Sequence, residues 1–311
     1  MRGIAYDRFG GPDVLELRDD LPEPPVGPDT VLVRTHAAGV NPVDVGIREG
    51  HLAGAFPHHF PIVPGWDLAG TVEAVGPAVH DLAPGDEVFG YLRRDDVQWG
   101  TAAELVPAPQ RCVARKPESL SFAEAGALPL AGLTAYQALT EALDVGEGDR
   151  VLVHRAAGGV GFFAVQIAVA LGAHVIGTAS PRNHGFLRDA GAAEVLDYSA
   201  GPISAQLSEP VDAVLDLNGG DALTDAPKQV RDSPGGVARV TSVVDPAVNE
   251  MGGRYVFVRP ERHDLEELGR MADAGQLRVS IARAFPLERT AEAHDLVAGG
   301  HVRGKVVVTL R

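Results

Sequence analysis

The chain is poor in cysteine and in positive charge. Its 311 residues include one cysteine, Cys112, which excludes an internal disulfide framework and a cysteine-rich zinc lobe. Lys and Arg number 27 against 42 Asp and Glu, which gives a net charge of −15. Broad binding to nucleic acids or anionic membranes needs clustered positive charge, so we expect neither kind of partner.

Long apolar segments are also missing. The longest apolar stretch covers residues 162–179, and Gly172 and His174 interrupt it. It falls short of the ~18–20 unbroken apolar residues that a membrane span requires. The first residues do not show an apolar core followed by a small-residue cleavage site. We therefore expect a soluble, cytoplasmic protein.

The pattern of predicted secondary structure changes along the chain, and the length of the chain favours two domains over one. The first ~120 residues carry short β-like runs between Gly and Pro turns, which is typical of a β-rich barrel. Ser121 and Glu124 then form a capping-box pattern that opens a helix. From Val151 strands alternate with helices, which indicates βαβ units around a parallel sheet. The predicted segments are strands 30–35, 70–75, 87–91, 151–154, 174–178, 211–217, 236–241 and 304–310, and helices 161–171 and 182–190.

A glycine-rich turn lies between the predicted strand 151–154 and the predicted helix 161–171. It reads Ala156-Ala157-Gly158-Gly159-Val160-Gly161, with Ala156 where the dinucleotide fingerprint has its first glycine. Gly158 would let the backbone approach a pyrophosphate, and Gly161 would let the helix pack tightly on the strand. The phosphates would then lie at the helix N-terminus. A glycine-rich turn without a ligand is the alternative.

The end of the next strand bears on the choice of dinucleotide. An NAD site places an acidic residue ~20 positions after the glycines, where it binds the ribose 2′-hydroxyl. Here Ser180, Pro181 and Arg182 follow the strand, and the first carboxylate is Asp189. Ser180 and Arg182 are able to donate hydrogen bonds to a 2′-phosphate, which favours NADPH. In the other interpretation, Ser180 begins a helix and Arg182 is a solvated surface charge.

The whole chain resembles the zinc-independent quinone oxidoreductase branch of the medium-chain dehydrogenases/reductases. The resemblance is carried by five segments that read AGVNPVD, PGWDLAG, LPLAGLTA, AAGGVG and HVRGK, at residues 38–44, 64–70, 128–135, 156–161 and 301–305. It implies an α/β fold: a GroES-like β-rich catalytic domain at 1–118 and 256–311, and a Rossmann domain with a doubly wound parallel sheet at 119–255. It also implies a homodimer.

The resemblance further implies a set of site residues. Asn41 and Thr134 would lie beside the nicotinamide as the catalytic residues, and Asn41, Trp66 and Tyr91 would line the substrate pocket. The remaining implied residues would bind NADPH: Ala156, Gly158, Gly159, Val160, Gly161, Ser180, Arg182, Tyr198, Asn218, Gly219, Phe257, Val258, Arg303 and Lys305. Ordinary loop or strand-end packing is the alternative for Asn41, Tyr198 and Asn218.

The chain departs from its relatives at informative positions. Gly46 stands where many of them carry a tyrosine, so the substrate pocket is expected to be wider, or filled by Tyr91 or Trp66. Arg155 replaces a small residue and would either face the phosphates or cover the edge of the sheet. Asn41 and Trp66 occupy positions of zinc ligands in the alcohol dehydrogenases, so we expect no metal.

These features predict an NADPH-dependent oxidoreductase that transfers a hydride to a quinone or to an activated carbon–carbon double bond. The developing negative charge would be stabilised by donors such as the Asn41 amide, by cofactor hydroxyls or by water, and solvent would supply the proton. Two alternatives remain. One is a trans-acting enoyl-thioester reductase, and the other is a non-catalytic NADPH-binding protein of the same fold.

Overall fold

The computed structural model describes residues 1–231 and 239–310. Its strands, in chain order, are β1 (Gly3–Ala5), β2 (Glu16–Arg18), β3 (Thr30–Val40), β4 (Asp67–Val75), β5 (Glu87–Tyr91), β6 (Leu105–Pro109), β7 (Val113–Arg115), β8 (Arg150–Val153), β9 (His174–Thr178), β10 (Glu194–Leu196), β11 (Ala213–Asp216), β12 (Val240–Ser242), β13 (Arg254–Tyr255), β14 (Ile281–Pro286) and β15 (Lys305–Thr309). Its α-helices are α1 (Pro42–Arg48), α2 (Phe122–Ala127), α3 (Pro129–Gln137), α4 (Gly159–Ala170), α5 (His184–Asp189), α6 (Ile203–Gln206), α7 (Asp221–Asp225), α8 (Arg262–Asp273) and α9 (Thr290–Ala298). Within the described ranges, none of these helices has the length and apolar character needed to cross a bilayer.

The chain divides into two compact units. The first, here called the catalytic unit, comprises Met1–Leu130, Pro260–Ala274 and Val279–Arg311. Its main sheet has the order β14-β15-β3-β4-β5-β7, with β6 also paired to β3. All of its pairs are antiparallel except β14 with β15. The sequence predicted a β-rich first domain, and this sheet confirms it.

The second unit, here called the Rossmann unit, comprises Ala131–Arg259 and Gly275–Arg278. Its six strands are all parallel, in the order β10-β9-β8-β11-β12-β13. Counted within the unit this is the order 3-2-1-4-5-6, which defines the doubly wound dinucleotide-binding fold. Ligands of such sheets bind where the strand order reverses, at the carboxyl ends of the strands. The turn after β8 lies at that point, so the fold places the glycine-rich motif at the expected ligand-binding edge.

The unit boundaries fall at other residues than the sequence suggested. The catalytic unit continues past residue 118 to Leu130 because α2 packs on β3 and β4. Gly39 allows this close approach, since a Cβ there would lie 2.5 Å from the Gly126 carbonyl oxygen. At the other end, Phe257 and Val258 belong to the Rossmann unit rather than to the returning tail.

Several predicted segments have different bounds in the structure. The helix predicted at 182–190 is a 3-10 turn, Pro181–Asn183, followed by α5, because Pro181 starts the turn before the α-helical pattern is established. The helix predicted at 161–171 begins two residues earlier, at Gly159. Of the strand predicted at 236–241, residues 240 and 241 lie in β12, and residues 236–238 lie outside the described residues.

Candidate functional site

The turn between β8 and α4 makes a close backbone contact with the start of the helix. A Cβ at Gly161 would lie 2.6 Å from both the Ala156 Cα and the Arg155 carbonyl oxygen, so only glycine fits there. Gly158 is the N-cap of α4 and, as a glycine, offers no side chain to the first-turn N–H groups. These features fit the phosphates of a dinucleotide, which bind to free N–H groups at a helix N-terminus.

The structure also explains why alanine is accepted at the first position of the fingerprint. The left-handed residue of the turn is Arg155, at φ 49°, and not Ala156. The Ala156 N–H donates to the Thr178 carbonyl oxygen at 3.0 Å, which fixes the turn to β9. Beside it, a Cβ at Gly177 would lie 3.0 Å from the Ala156 methyl group, so the extra carbon of Ala156 is accommodated by the glycine in β9.

The residues after β9 form a polar turn without a carboxylate. Ser180 is the N-cap of the 3-10 turn, and its hydroxyl accepts a hydrogen bond from Asn183 Nδ2 at 3.3 Å. Arg182 is exposed. His184 Nε2 lies 3.3 Å from the Ala179 carbonyl oxygen, at the end of the strand. Sequence reasoning named Ser180 and Arg182 but missed Asn183 and His184, which the turn places beside them.

The end of β11 is organised by a buried carboxylate that the sequence analysis also missed. Asp216 accepts hydrogen bonds from the Asn218 and Gly219 N–H groups and, at 2.8 Å, from the Ser242 hydroxyl in β12. This holds Gly219 in the left-handed region at φ 72° and leaves Asn218 exposed beyond the strand end. The signal was an aspartate at the end of an apolar run, just before Asn-Gly-Gly.

The other predicted residues of the Rossmann unit differ widely in exposure. Thr134 is buried in α3, and Val258 is also buried. Tyr198 is 60% exposed and Phe257 is 46% exposed, which is unusual for aromatic side chains. Exposure of this size leaves both rings accessible to a ligand.

Four polar side chains of the catalytic unit form a buried network, here called the polar cluster: Asn41, Asp44, Asp67 and Lys305. The Asn41 Nδ2 donates to Asp67 Oδ2 at 2.8 Å, while the Lys305 ammonium donates to the Asn41 Oδ1. Lys305 Nζ also lies 3.6 Å from Asp67 Oδ2. Asn41 is 2% exposed and Lys305 4%, so the cluster is shielded from water. Asn41 and Lys305 are predicted from the sequence to lie near the cofactor, whereas the two aspartates are found only in the structure.

Local structure holds the two aspartates. Asn41 is the N-cap of α1, and its N–H donates to Asp44 Oδ2 at 2.8 Å in a capping arrangement. Asp67 begins β4 and accepts the Leu130 N–H at 2.7 Å. The other Asp44 oxygen, Oδ1, is buried without a hydrogen-bond partner among the described residues. The acids are thus fixed by backbone donors as well as by the cluster.

Burial shifts the proton equilibria of the polar cluster. Desolvation raises the pKa of Asp44 to about 7, and the neighbouring charge of Asp67 adds to this. The pKa of Asp67 is also raised by desolvation, although Lys305 and Asn41 oppose the rise. Burial lowers the pKa of Lys305, against the attraction of Asp67 and Asp44. Each shift favours the neutral form of its group over the charged one.

The predicted substrate-pocket residues Trp66 and Tyr91 pack against each other, with ring centroids 6.0 Å apart. Both side chains are buried, and Trp66 lines a small recess together with Asp44, Ile47 and Leu92. Tyr91 is not among the residues lining this recess. A Cβ at Gly46 would meet only His51, at 3.9 Å, so the missing side chain leaves open space.

The positions that carry zinc ligands in alcohol dehydrogenases have other partners here. The Asn41 amide oxygen already accepts from an ammonium group, and the Trp66 indole offers no lone pair to a metal. Across residues 1–231 and 239–310, no three His, Cys, Asp or Glu side chains come together as metal ligands would. Arg303, the last predicted cofactor residue, is exposed near Lys305 in sequence.

Known proteins match the chain along its whole length. Residues 27–118 match the family model described as alcohol dehydrogenase GroES-like domain, and residues 190–308 match the model described as zinc-binding dehydrogenase. The human mitochondrial protein named NAD(P)H oxidoreductase RTN4IP1 is 31% identical over 100% of this chain and 89% of its own length. The chloroplastic NADPH-dependent alkenal/one oxidoreductase of Arabidopsis thaliana is 34% identical over 99% of this chain and 79% of its own. Among solved structures, the quinone oxidoreductase from Coxiella burnetii is 36% identical, with a TM-score of 0.90, and covers 100% of this chain and 99% of its own.

Proposed function

The chain belongs to the quinone oxidoreductase family of the medium-chain dehydrogenases/reductases, and we propose that it reduces quinones or activated carbon–carbon double bonds with NADPH. The observation that carries the proposal is the glycine-rich turn at the strand-order reversal of the Rossmann unit, followed by a β9 end without a carboxylate. The names of the relatives, which include an alkenal/one oxidoreductase and a quinone oxidoreductase, support the acceptor class.

The Rossmann unit would bind the dinucleotide. The first-turn N–H groups of α4 would receive the pyrophosphate, and the exposed Asn218 with the buried Gly219 would pass by a ribose. Ser180 and Arg182 would bind the 2′-phosphate, with Tyr198 as a further donor. Phe257 and Val258 would contact the carboxamide through their backbone, and Thr134 would lie near the nicotinamide.

The preference for NADPH over NADH rests on charge. A carboxylate at the end of β9 would repel a 2′-phosphate and attract a ribose hydroxyl, and the turn has none. Arg182 is exposed and positively charged at that turn, and the Ser180 hydroxyl is held in place by Asn183. An arginine next to a phosphate forms charge-assisted hydrogen bonds, which are stronger than neutral ones.

The chemistry proposed for the catalytic unit is stabilisation of charge without a metal. NADPH, when bound, supplies a hydride to the electron-poor carbon of the acceptor. Negative charge then develops on the acceptor oxygen and needs a donor. The Asn41 Nδ2 carries two hydrogens, of which the described contacts use one for Asp67, so the second is available for this role. Solvent would supply the proton that completes the product.

Zinc independence is part of the proposal. The Lys305 ammonium occupies the hydrogen-bonding position at Asn41 Oδ1, so a dication there would meet both a protonated amine and a weak ligand. Alcohol oxidation is expected to be poor as a result, because zinc dehydrogenases lower the pKa of the bound alcohol with their metal.

A homodimer and a cytoplasmic location remain predictions. The homodimer rests on the resemblance alone, and light scattering tests it by giving the mass of one chain or two. The cytoplasmic location rests on the sequence alone, and the relatives named above include a mitochondrial and a chloroplastic protein.

The proposal is tested by measuring NADPH absorbance with three hydride acceptors, a benzoquinone, a short enone and an enoyl thioester. The reverse direction is measured with NADP⁺ and a secondary alcohol as the hydride donor. We expect turnover with the quinone or the enone, little with the alcohol, and no loss of activity after treatment with a chelator. A strict requirement for the thioester would instead support an enoyl-thioester reductase. Binding of NADPH without turnover of any acceptor would support a non-catalytic binding protein.

A further inference from the structure

Arg155 occupies the turn between β8 and the glycine-rich motif, and its backbone is fixed on both sides. Its N–H donates to the Thr178 hydroxyl at 3.1 Å, and its carbonyl oxygen accepts the Gly158 N–H at 3.0 Å. Its φ of 49° lies in the left-handed region, which favours glycine and asparagine over a long side chain. The fixed backbone therefore sets the direction of the Arg155 Cα–Cβ bond. A glycine would adopt this left-handed conformation with less strain than arginine does.

The side chain of Arg155 is exposed and runs over the glycine at the start of α4. A Cβ placed on Gly158 would find Arg155 Cγ at 3.8 Å and Nε at 4.0 Å. The guanidinium group thus lies beside the N-cap of the helix whose first N–H groups would receive the pyrophosphate. In contrast, Arg182 stands after the neighbouring strand, where the 2′-phosphate would lie.

We propose that Arg155 is an additional pyrophosphate-binding residue, which gives this chain a charged contact where the fingerprint alone offers backbone N–H groups. This inference rests on the proposed function, since it requires a dinucleotide at the turn. A guanidinium can bind two oxygens of a phosphate group with parallel hydrogen bonds, which suits it to an anion at this turn. The two arginines therefore have separable roles: Arg155 binds the part common to NADPH and NADH, and Arg182 binds the part unique to NADPH.

The test compares dissociation constants of NADPH, NADH and ADP-ribose, measured by fluorescence or calorimetric titration, for the native protein, Arg155→Asn and Arg182→Ala. Asparagine is chosen because it tolerates the left-handed backbone, so the variant loses the guanidinium without added strain. We expect Arg155→Asn to weaken all three ligands by the same factor, about tenfold, the size of one solvent-screened charge-assisted hydrogen bond. Arg182→Ala should weaken NADPH alone.

Thermal unfolding without ligand separates binding from support of the fold. We expect the melting temperature of Arg155→Asn to stay level or rise, while its affinity falls, and Arg155→Lys to retain part of the affinity. Unchanged dissociation constants in Arg155→Asn, or a loss restricted to NADPH, would overturn the inference. So would a fall in melting temperature large enough to account for the weaker binding. If the native protein bound neither NADPH nor NADH, the proposed function itself would fail.

Discussion

The polar cluster of the catalytic unit and the glycine-rich turn of the Rossmann unit are stabilised by different interactions. In the polar cluster, the buried Lys305 ammonium and Asp67 carboxyl share the Asn41 side chain, and Asp44 is held by the Asn41 backbone N–H. At the turn, glycines bring backbone N–H groups to the surface and the charged side chains are exposed. Charge balance therefore governs the first region, and local backbone geometry governs the second. Substitutions that alter charge should damage the first most, and substitutions that add volume should damage the second.

Removing the buried cation should have the largest effect. Lys305→Met leaves Asp67 without its ionic partner in the protein interior, and breaking a buried pair from one side destabilises a protein by about 3–5 kcal/mol. Denaturant unfolding measures the loss. The double variant Lys305→Met with Asp67→Asn, which removes both charges, should be clearly more stable than Lys305→Met alone. Equal stability of the two variants would show that Lys305 and Asp67 do not form an energetically coupled pair.

Adding volume at the turn should have the next largest effect. Gly161→Ala places a methyl carbon 2.6 Å from backbone atoms of Ala156 and Arg155, which cannot move as a side chain would. We expect a loss of about 3 kcal/mol in stability, the upper end of ordinary overpacking, together with weaker NADPH binding. Gly185→Ala in α5 is the matched control, because a Cβ there meets no atom within 4 Å and alanine favours a helix. Similar melting temperatures for the two variants would contradict the close packing at Gly161.

The raised pKa of Asp44 predicts a smaller change in stability, which depends on pH. Because burial raises this pKa to about 7 from an ordinary 3.8, the folded protein holds a proton between these values that the unfolded chain releases. The unfolding free energy should therefore fall as the pH rises from 5 to 7, by at most about 1.4 kcal/mol per pH unit from this group. Asp44→Asn removes the titration, so its destabilisation relative to the native protein should be largest at pH 5 and smaller at pH 8. Melting temperatures across this range check the slope, with the exposed Asp20→Asn as the surface control. A difference independent of pH would contradict the shift.

The smallest effect concerns cofactor choice. Arg182→Ala should raise the Michaelis constant for NADPH about tenfold and leave that for NADH nearly unchanged, because only NADPH carries a 2′-phosphate. Ser180→Asp should go further and favour NADH. The exposed Arg188→Ala in α5 is the control for a general change of surface charge. Equal weakening of both cofactors by Arg182→Ala would place this arginine at a shared group or in the fold.

Short-range patterns in the sequence predicted many of the strands, turns and helix caps. Contacts between residues far apart in the sequence were not predicted. The strands Glu87–Tyr91 and His174–Thr178 and the capping box of Ser121 and Glu124 were predicted at their observed positions and are confirmed, because apolar runs, turns and caps are short-range patterns. Asn41 and Lys305 are 264 residues apart, and no local pattern indicates that one donates to the other. The pairing follows from β3 and β15 being neighbours in the sheet.

The sequence also did not indicate which residue of the glycine-rich turn is left-handed, or on which sheet α2 packs. Ala156 weakened the match to the glycine pattern, yet the left-handed conformation of the turn lies at Arg155. Helix α2 was assigned to the second domain because it follows the change in composition, whereas Gly39 and Gly126 allow it to pack on the first sheet. Close backbone approaches of this kind depend on which surfaces meet in three dimensions.

Isotopic labelling tests whether the hydride passes directly from NADPH to an activated double bond. NADPH carrying deuterium at the transferable C4 position is incubated with the protein and a short enone, and the product is analysed by mass spectrometry and NMR. We predict one deuterium on the β-carbon of the saturated ketone and a solvent-derived hydrogen on the α-carbon. Product without deuterium at the β-carbon, or NADPH left unoxidised in the presence of every quinone and enone, would rule out direct hydride transfer by this protein.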